Sequence, residues 1–298
     1  GNPDVVFEEE TPKIFTNEEQ ETAGETDEEL SVFSSDEVPE FNDAPDEAMA
    51  AAENEQAGEI DLTTSNKVVN GVYTISSAGD YKFTCSNSQE TANRIVVDGT
   101  NTSEQDNINI YLDNVNIKTS ASAGPALQIK GEVKAAVTIH LTGTNNLITK
   151  YTYSAGLQKD NKAQLIIKTN DSDTTAGILN ARSIDGDGAG IGGGLYGSCS
   201  NITIDSVSVI ASSKHGAGIG GGYEYGGSYK NITINGGSVK ASSVSGSPTN
   251  EGKEFYCCTI ENLNSKKVII DQNLKPWEPN NHQAVNPTDT NLYAWLTG

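Results

Sequence analysis

Four tyrosines and a glutamate follow two glycine-rich stretches, and their side chains could take part in binding. The stretches at residues 188–194 and 216–222 are both Gly-Ala-Gly-Ile-Gly-Gly-Gly. The residues that follow them are Tyr196, Tyr223, Glu224, Tyr225 and Tyr229. A tyrosine ring has an apolar face and a hydroxyl tip, which suits a sugar ring. Tyr196 and Tyr225 each precede a further glycine, so we expect them to form adjacent rings of one exposed strip. Ordinary loop packing is the alternative.

Two pairs of aspartates have the Asp-x-Asp spacing that calcium loops use. They are Asp171 with Asp173, and Asp185 with Asp187. The twelfth position counted from Asp185 is Tyr196 instead of glutamate, so an EF-hand is incomplete. Ordinary Asp-Gly turn chemistry would also explain the second pair. The four carboxylates therefore indicate either turns or a weak calcium site completed by carbonyl groups of a neighbouring turn.

The histidines and arginines give little support to catalysis. The histidines are His140, His215 and His282, and the arginines are Arg94 and Arg182. No histidine lies near a nucleophile motif such as Gly-x-Ser-x-Gly. His140 alternates with apolar neighbours in a strand-like run, which predicts that its ring faces solvent. A polysaccharide lyase needs a cationic base beside calcium-binding carboxylates, and two arginines make that hard to assemble. We therefore assign no catalytic residue.

The glycine-rich heptapeptides belong to an internal repeat. Each is followed by Asn-Ile-Thr-Ile, which begins at Asn201 and again 30 residues later at Asn231. Similar β-branched runs begin at Ile108, Val137, Gln164 and Lys267, and second short strands follow most of them. Short strands and turns that recur about every thirty residues fit a parallel β-helix of about six turns. A β-sandwich is less suitable, because it does not require identical turns to recur.

The heptapeptides also predict which side chains are buried. Ala189 and Ile191 share parity, so an extended segment would point both inward. Stacked turns would place Ile191 on Ile219 and Ala189 on Ala217, while the glycines permit positive φ and close approach of the next turn. The match to Gly-x-Gly-x-x-Gly does not predict a dinucleotide site, because a strand follows it where a helix is required.

The charge of the chain is unevenly distributed. The formal net charge is −22, and residues 1–61 carry 21 acidic residues against Lys13 alone. This part has too few apolar residues to offset its ordering entropy, so we expect it to be largely disordered or only locally docked. Its acidity argues against nucleic acid as a partner. We assign residues 62–275 to a β-helix domain and residues 276–298 to a C-terminal extension that could begin a further module.

The apolar residues and the cysteines add two expectations. The sequence has no run of eighteen apolar residues, so we expect no membrane span. The cysteines, Cys85, Cys199, Cys257 and Cys258, lack the spacing of a zinc site. We expect Cys199 to pack as a small hydrophobic residue. A disulfide from Cys257 or Cys258 to another cysteine stays open.

The repeat motifs resemble two groups of known proteins. Residues 187–194 and 231–241 resemble repeats in bacterial surface proteins. The motifs at residues 112–117, 124–129 and 137–141 are similar to extracellular carbohydrate-binding β-helix proteins related in shape to pectate lyases. That resemblance implies a right-handed β-helix that binds acidic plant-wall polysaccharide with calcium and lacks strong lyase activity.

The leading hypothesis is therefore an all-β protein with a right-handed parallel β-helix, preceded by an acidic segment. We expect it to be secreted or displayed on a bacterial cell surface, where it binds polysaccharide or cell-surface glycan, or acts as an adhesin, without catalysis. One alternative is a polysaccharide lyase or glycosidase on a β-helix, which an acid-rich cleft would favour. The other is a structural stalk or protein-interaction module, which the absence of both a cleft and a tyrosine strip would favour.

Overall fold

A computed structural model of the chain describes residues 58–223 and 229–241, with the backbone of a few short strands elsewhere. Within these two ranges the regular structure is strand, apart from one 3₁₀ turn at Ser86–Ser88. The prediction of an all-β fold is confirmed. No helix in these ranges is long and apolar enough to cross a membrane.

The strands alternate with short turns along the whole described part of the chain. In chain order they are β1 (Ile14–Phe15), β2 (Glu59–Asp61), β3 (Val72–Ser77), β4 (Gly79–Thr84), β5 (Arg94–Asn101), β6 (Asn107–Asp113), β7 (Asn116–Thr119), β8 (Leu127–Ile129), β9 (Ala136–Thr142), β10 (Thr144–Thr149), β11 (Leu157–Lys159), β12 (Leu165–Thr169), β13 (Ile178–Ser183), β14 (Ile191–Gly192), β15 (Cys199–Asp205), β16 (Ser208–Ser213), β17 (Ile219–Gly220), β18 (Tyr229–Asn235), β19 (Ser238–Ala241), β20 (Phe255–Tyr256), β21 (Cys258–Ile260), β22 (Lys267–Ile270) and β23 (Asn291–Leu292).

Three sheets contain the described residues of the solenoid. Sheet A has the order β2-β4-β6-β9-β12-β15-β18-β22-β23, sheet B has the order β17-β14-β11-β8-β5-β3, and sheet C has the order β21-β19-β16-β13-β10-β7. The first turn contributes β3 to sheet B and β4 to sheet A, and each later turn contributes one strand to sheet B, then one to sheet A, then one to sheet C. Strands of successive turns pair in parallel, so the chain forms a parallel β-solenoid of about five turns.

The observed register agrees with the repeat that the sequence predicts. Ile108 pairs with Val137, Val137 with Leu165, and these side chains point inward with their counterparts in later turns. The run that begins at Lys267 is also a strand, but the prediction that it forms a further parallel turn is wrong. It pairs antiparallel with β18, with Ile232 opposite Ile270.

The glycine-rich corners are packed tightly between turns, as the sequence predicts. Ile191 pairs with Ile219, and both are fully buried, as are Ala189 and Ala217. A Cβ atom on Gly190 would lie 2.7 Å from the Gly218 carbonyl oxygen and the Ser212 backbone nitrogen, and 2.9 Å from the Ala181 carbonyl oxygen. Any side chain larger than hydrogen would therefore push the turns apart.

The solenoid begins before the predicted boundary at residue 62. Strand β2 pairs in parallel with β4, and Ile60 and Leu62 are buried in the core. Asp61 accepts hydrogen bonds from the side chains of Thr63 and Ser86, and these bonds lower the pKa of Asp61 to about 2. The residues from Glu59 onward therefore belong to the folded body. Apart from the backbone of β1 and β23, the rest of the predicted acidic segment up to residue 57 and the predicted C-terminal extension lie outside the described residues.

This position of β2 predicts the effect of two truncations. A chain that starts at Leu62 should melt at a lower temperature than a chain that starts at Gly58, because it lacks Ile60 and the Asp61 hydrogen bonds. Burial of one isoleucine stabilises by about 1.5 to 3 kcal/mol. At this size, about 2 to 4 °C of melting temperature corresponds to 1 kcal/mol, so we expect a decrease of about 5 to 10 °C. Equal melting temperatures by circular dichroism would show that β2 does not contribute to the fold.

Candidate functional site

The outer face of sheet A brings polar and aromatic side chains of successive turns side by side. Alternate residues of a strand point outward, and parallel pairing in register aligns equivalent positions into rows. One row contains Lys82, Tyr111, His140, Lys168 and Asp205. The row beside it contains Asp80, Asn109, Thr138, Ile166 and Thr203. These two rows define the surface that we call the outer face of sheet A.

An aromatic stack lies in the first row. The rings of Tyr111 and His140 are 4.3 Å apart between centroids and only 8° from parallel. Lys82 places its Nζ atom 5.8 Å from the centroid of the Tyr111 ring, within the range of a cation–π contact. Paired strands lie about 4.8 Å apart, so planar side chains in register can stack directly. The backbone register thus preforms this stack.

A chain of hydrogen bonds links the two rows. His140 Nε2 lies 3.0 Å from Asn109 Oδ1, and the Asn109 side-chain nitrogen donates to Asp80 Oδ1 at 3.0 Å. Because an amide oxygen only accepts, His140 Nε2 donates in this arrangement. Burial lowers the pKa of His140 below its ordinary value, which favours the neutral ring at pH 7. Asp80, Asn109 and His140 therefore hold one another in fixed positions.

The prediction that the His140 ring faces solvent is only half correct. The ring lies on the outer face, yet only 8% of the residue is exposed. Tyr111 of the preceding turn stacks on the ring and covers it. The alternation of residues along one strand could not reveal this contact between two turns. Its Nδ1 atom is buried and has no hydrogen-bond partner among the described residues.

A shallow depression at the edge of this face is lined by Lys168, Asn170, Asp171, Asp173 and Asp205, among others. Lys168 forms an ion pair of 2.6 Å with Asp171, and this lowers the pKa of the Asp171 carboxyl. Thr142 donates a hydrogen bond of 2.5 Å to Asp173. The carboxylates of the pair Asp171 and Asp173 are therefore each engaged by a different neighbour.

The two carboxylates of the second predicted pair, Asp185 and Asp187, also have different surroundings. Asp185 is exposed, whereas Asp187 Oδ1 lies 2.7 Å from Nδ1 of His215, the residue that precedes the second heptapeptide. Within residues 58–223 and 229–241, no three His, Cys, Asp or Glu side chains lie close enough together to hold a metal ion. The structure does not bring the predicted ligands into one group, and calcium binding stays a prediction.

The predicted tyrosine strip can be followed only in part. Tyr196 is 54% exposed, whereas Tyr223 is only 9% exposed and packs near the His215 ring at a centroid distance of 5.6 Å. Glu224 and Tyr225 lie outside the described residues. Tyr229 begins β18 opposite Cys199, and its side chain is outside the described part as well. The pairing of Tyr196 with Tyr225 therefore stays a prediction, while Tyr223 is largely covered.

Two cysteines lie in the described part of the chain, and both are free and buried. Cys199 packs in the core, which confirms its predicted hydrophobic role, and burial raises its pKa to about 12. The thiol is therefore protonated at neutral pH. The side chains of Cys257 and Cys258 lie outside the described residues.

The sequence analysis missed the outer face of sheet A, although a signal for it exists. Lys82, Tyr111 and His140 follow one another at intervals of 29 residues, which is the spacing of the strands themselves. The repeat predicted from the sequence starts at Ile108 and does not include the strand Gly79–Thr84, so Lys82 has no place in it. Equal spacing in a parallel solenoid places residues side by side.

The chain matches no protein-family profile, no curated protein and no solved structure. Its function therefore has to be inferred from the fold and from the outer face of sheet A.

Proposed function

We propose that this protein is a non-catalytic, extracellular carbohydrate-binding or adhesin module of a bacterial cell surface, with the outer face of sheet A as its glycan-binding surface. The observation that carries this proposal is the stack of Tyr111 and His140 within a row of outward polar side chains. Aromatic rings contact the apolar faces of sugars, and fixed polar groups beside them select their hydroxyls.

The chemistry of the neighbouring row supports a sugar ligand. Asn109 and Thr138 present an amide and a hydroxyl group in successive turns, and Thr203 adds a second hydroxyl beyond Ile166. These groups donate and accept hydrogen bonds, as sugar hydroxyls do. From β4 to β15 the face extends over about 20 Å at the usual spacing of strands. A long, open surface of this kind suits several units of a polysaccharide better than one enclosed small molecule.

The arrangement of the basic groups favours binding over catalysis. Lys168 is held in an ion pair with Asp171 and would have to leave it before it could accept a proton. His140 already donates from Nε2 to Asn109, and its Nδ1 atom is buried. Neither group is placed to abstract a proton from a ligand that lies on the face.

The binding proposal predicts a difference between two tyrosine variants. Tyr111→Ala should weaken binding of the full chain to its polysaccharide about two- to tenfold, because one aromatic contact contributes about 0.5 to 1.5 kcal/mol. Tyr111→Phe should keep the stack and most of the binding. Affinity electrophoresis against a panel of neutral and acidic polysaccharides, with and without calcium, measures the effect, and the melting temperature of each variant checks the fold.

Tyr196→Ala is the matched control, because Tyr196 is exposed but lies away from the aromatic stack. If only Tyr196→Ala weakens binding, the glycan site lies on the predicted tyrosine strip and the outer face of sheet A is the wrong surface. If no polysaccharide binds the wild-type chain, the carbohydrate proposal is wrong, and a structural stalk or protein-interaction module is favoured.

A polysaccharide lyase or glycosidase is the second candidate, because the depression beside Lys168 is lined by Asp171, Asp173 and Asp205. A lysine among carboxylates could serve such chemistry once a substrate had displaced the ion pair. To test for catalysis, the same polysaccharides are incubated with the protein and calcium, and new reducing ends and unsaturated products are measured. Release of either, lost in Lys168→Met, would replace the binding proposal by an enzymatic one.

A further inference from the structure

The outer face of sheet A, which the proposed function takes as the glycan-binding surface, carries more negative than positive charge. Strands β2, β4, β6, β9, β12 and β15 contain five carboxylates and two lysines, and all seven side chains alternate with residues of the core. The carboxylates are Glu59, Asp61, Asp80, Asp113 and Asp205, and the lysines are Lys82 and Lys168. Over these six strands the outer face is therefore acidic.

Three of these carboxylates are held by neutral groups. The donor and acceptor pairs are Asn109 with Asp80 at 3.0 Å, Asn114 with Asp113 at 2.7 Å, and Ser206 with Asp205 at 2.9 Å. A neutral donor fixes a carboxylate in place but does not cancel its charge. Of the two lysines, Lys168 forms its ion pair with Asp171, a further carboxylate in the turn after β12. The lysines therefore leave an excess of negative charge on the face.

Two carboxylates act on the aromatic stack from opposite sides. Asp80 lies one turn before Tyr111, and Asp171 lies one turn after His140. Burial raises the pKa of Tyr111, and the charges of Asp80 and Asp171 raise it further. Asp113 follows two residues after Tyr111 on the same strand and also points outward. A cation that reaches the stack is therefore attracted from three positions.

The structure already places an ammonium group against this stack. The Nζ atom of Lys82 lies 5.8 Å from the centroid of the Tyr111 ring, and Lys82 belongs to the turn before Tyr111. His140 belongs to the turn after Tyr111 and covers the other face of the ring. An ammonium group over a tyrosine ring is also how proteins recognise amines in ligands. Lys82 therefore marks a position that the amino group of a ligand can take.

We propose that the glycan bound on this face carries free amino groups, as a polymer of glucosamine does, and that its ammonium groups lie beside Tyr111, Asp80 and Asp113. This inference rests on the proposed function and names the class of polysaccharide. An acidic polysaccharide would meet like charges at Asp80 and Asp113, which disfavours it. A neutral polysaccharide would gain nothing from the fixed carboxylates. An amino-sugar polymer gains both a charge contact and a cation–π contact.

Two oligosaccharides with the same backbone test the inference on the full chain. They are a glucosamine hexamer with free amino groups and its fully N-acetylated counterpart. At about pH 6 the free amino groups are protonated, because even an α-amino group has a pKa of about 7.7 to 8.0. Isothermal titration calorimetry at low salt should show that the free-amine hexamer binds about five- to tenfold more tightly. Polygalacturonate, with or without calcium, should bind more weakly than both hexamers. About 0.5 M salt should remove most of the difference between the hexamers, because it screens exposed charges.

Two variants of the face should change the affinity for the free-amine hexamer in opposite directions. Asp80→Asn with Asp113→Asn keeps the hydrogen-bond acceptors but removes two charges, so it should weaken binding about two- to tenfold. Lys82→Gln removes an ammonium group that competes with the ligand, so it should strengthen binding about two- to threefold. Glu90→Gln with Glu132→Gln is the matched control, because both residues are exposed, lie outside the strands of sheet A and change the net charge by the same amount. The control should leave the affinity unchanged.

The outcomes separate this inference from the proposed function. Equal binding of the two hexamers, weakened in Tyr111→Ala, would overturn the amino-sugar inference and leave the glycan-binding surface in place. Tighter binding of polygalacturonate, weakened in Tyr111→Ala, would do the same. An equal loss in both double variants would show that the amines respond to the net charge of the chain, and it would overturn the inference as well. If no polysaccharide binds the wild-type chain, the inference and the proposed function are both wrong.

Discussion

Replacement of Ile219 by aspartate is expected to abolish soluble expression of the solenoid. Ile219 is fully buried and lies in register with Ile191, in a column that continues through Leu157 and Leu127. A carboxylate at this position would meet apolar side chains and would lose its hydration. A buried polar group without a partner costs about 2 to 7 kcal/mol, against a total stability of about 5 to 15 kcal/mol.

Ile210→Asp is the matched control, because Ile210 lies in β16, the strand that precedes Ile219, but is 45% exposed on an outer face. This variant should express at the wild-type level, and its melting temperature should change by only a few degrees. Soluble yield and thermal unfolding measure both. If Ile219→Asp were as stable as the wild type, the inward orientation of Ile219 and the register of sheet B would both be wrong.

Replacement of Lys159 by methionine is expected to stabilise the protein. Lys159 is fully buried, and its Nζ atom donates a hydrogen bond of 2.7 Å to the Asn161 carbonyl. Burial lowers the pKa of Lys159 to about 8. A charged lysine is therefore disfavoured in the folded state at pH 7. The variant removes this cost but also loses the hydrogen bond, so we expect a net gain of about 1 to 3 kcal/mol in the free energy of unfolding. A methionine fills the same space without charge, so the melting temperature should rise by about 3 to 10 °C.

The difference in stability between the wild type and Lys159→Met should change with pH in a definite direction. The unfolded chain binds a proton at Lys159 more tightly than the folded chain, because its ordinary pKa is about 10.4. Between the folded value of about 8 and that ordinary value, the stability of the wild type should rise with pH relative to Lys159→Met. The advantage of the variant should therefore be full below pH 8 and nearly absent at pH 10.5. Chemical denaturation at several pH values measures the difference in unfolding free energy between the two proteins.

Lys162→Met serves as the control for Lys159→Met, because Lys162 lies in the same turn but is exposed. It should change neither the stability at pH 7 nor its pH dependence. A gain from Lys159→Met that stays constant up to pH 10.5 would show that better packing, and not the removal of a buried charge, is responsible.

Much of the fold could be predicted from the sequence, because the length of the repeat indicates stacked turns and the alternation of apolar residues indicates strands. The repeat of identical corners fixes the stacking of Ile191 on Ile219, and the β-branched runs fix the strands of sheet A. Strand β2 could not be recognised, since its alternation is limited to Ile60 and Leu62 at the end of an acidic stretch, which is too short to predict a strand. Lys159 could not be placed either, because a lysine in a strand is normally assigned to the outward side. Its burial follows from the register with Ile129, which only the structure shows.

The candidate site was less accessible to sequence reasoning than the fold. Tyr111 and His140 are separated by 29 residues and belong to different turns, so their contact depends on register to the single residue. A shift of one position would turn one ring into the core. The predicted site relied instead on the position of tyrosines after the two heptapeptides, which paired Tyr196 with Tyr225. Of the tyrosines in that cluster, Tyr223 is covered and Tyr196 is exposed.

The order of side chains along the outer face of sheet A has a directional consequence. The row begins with Glu59 and Lys82, continues through two aromatic rings and Lys168, and reaches Asp205 and Asn235 within the described residues, so its two ends are not equivalent. A polysaccharide also has two unlike ends. If it lies along this row, one polarity of the sugar chain should fit better than the other, and molecules bound to the same strand would all point the same way. An array of these modules on a fibre would then be ordered by its ligand, without any contact between the proteins themselves.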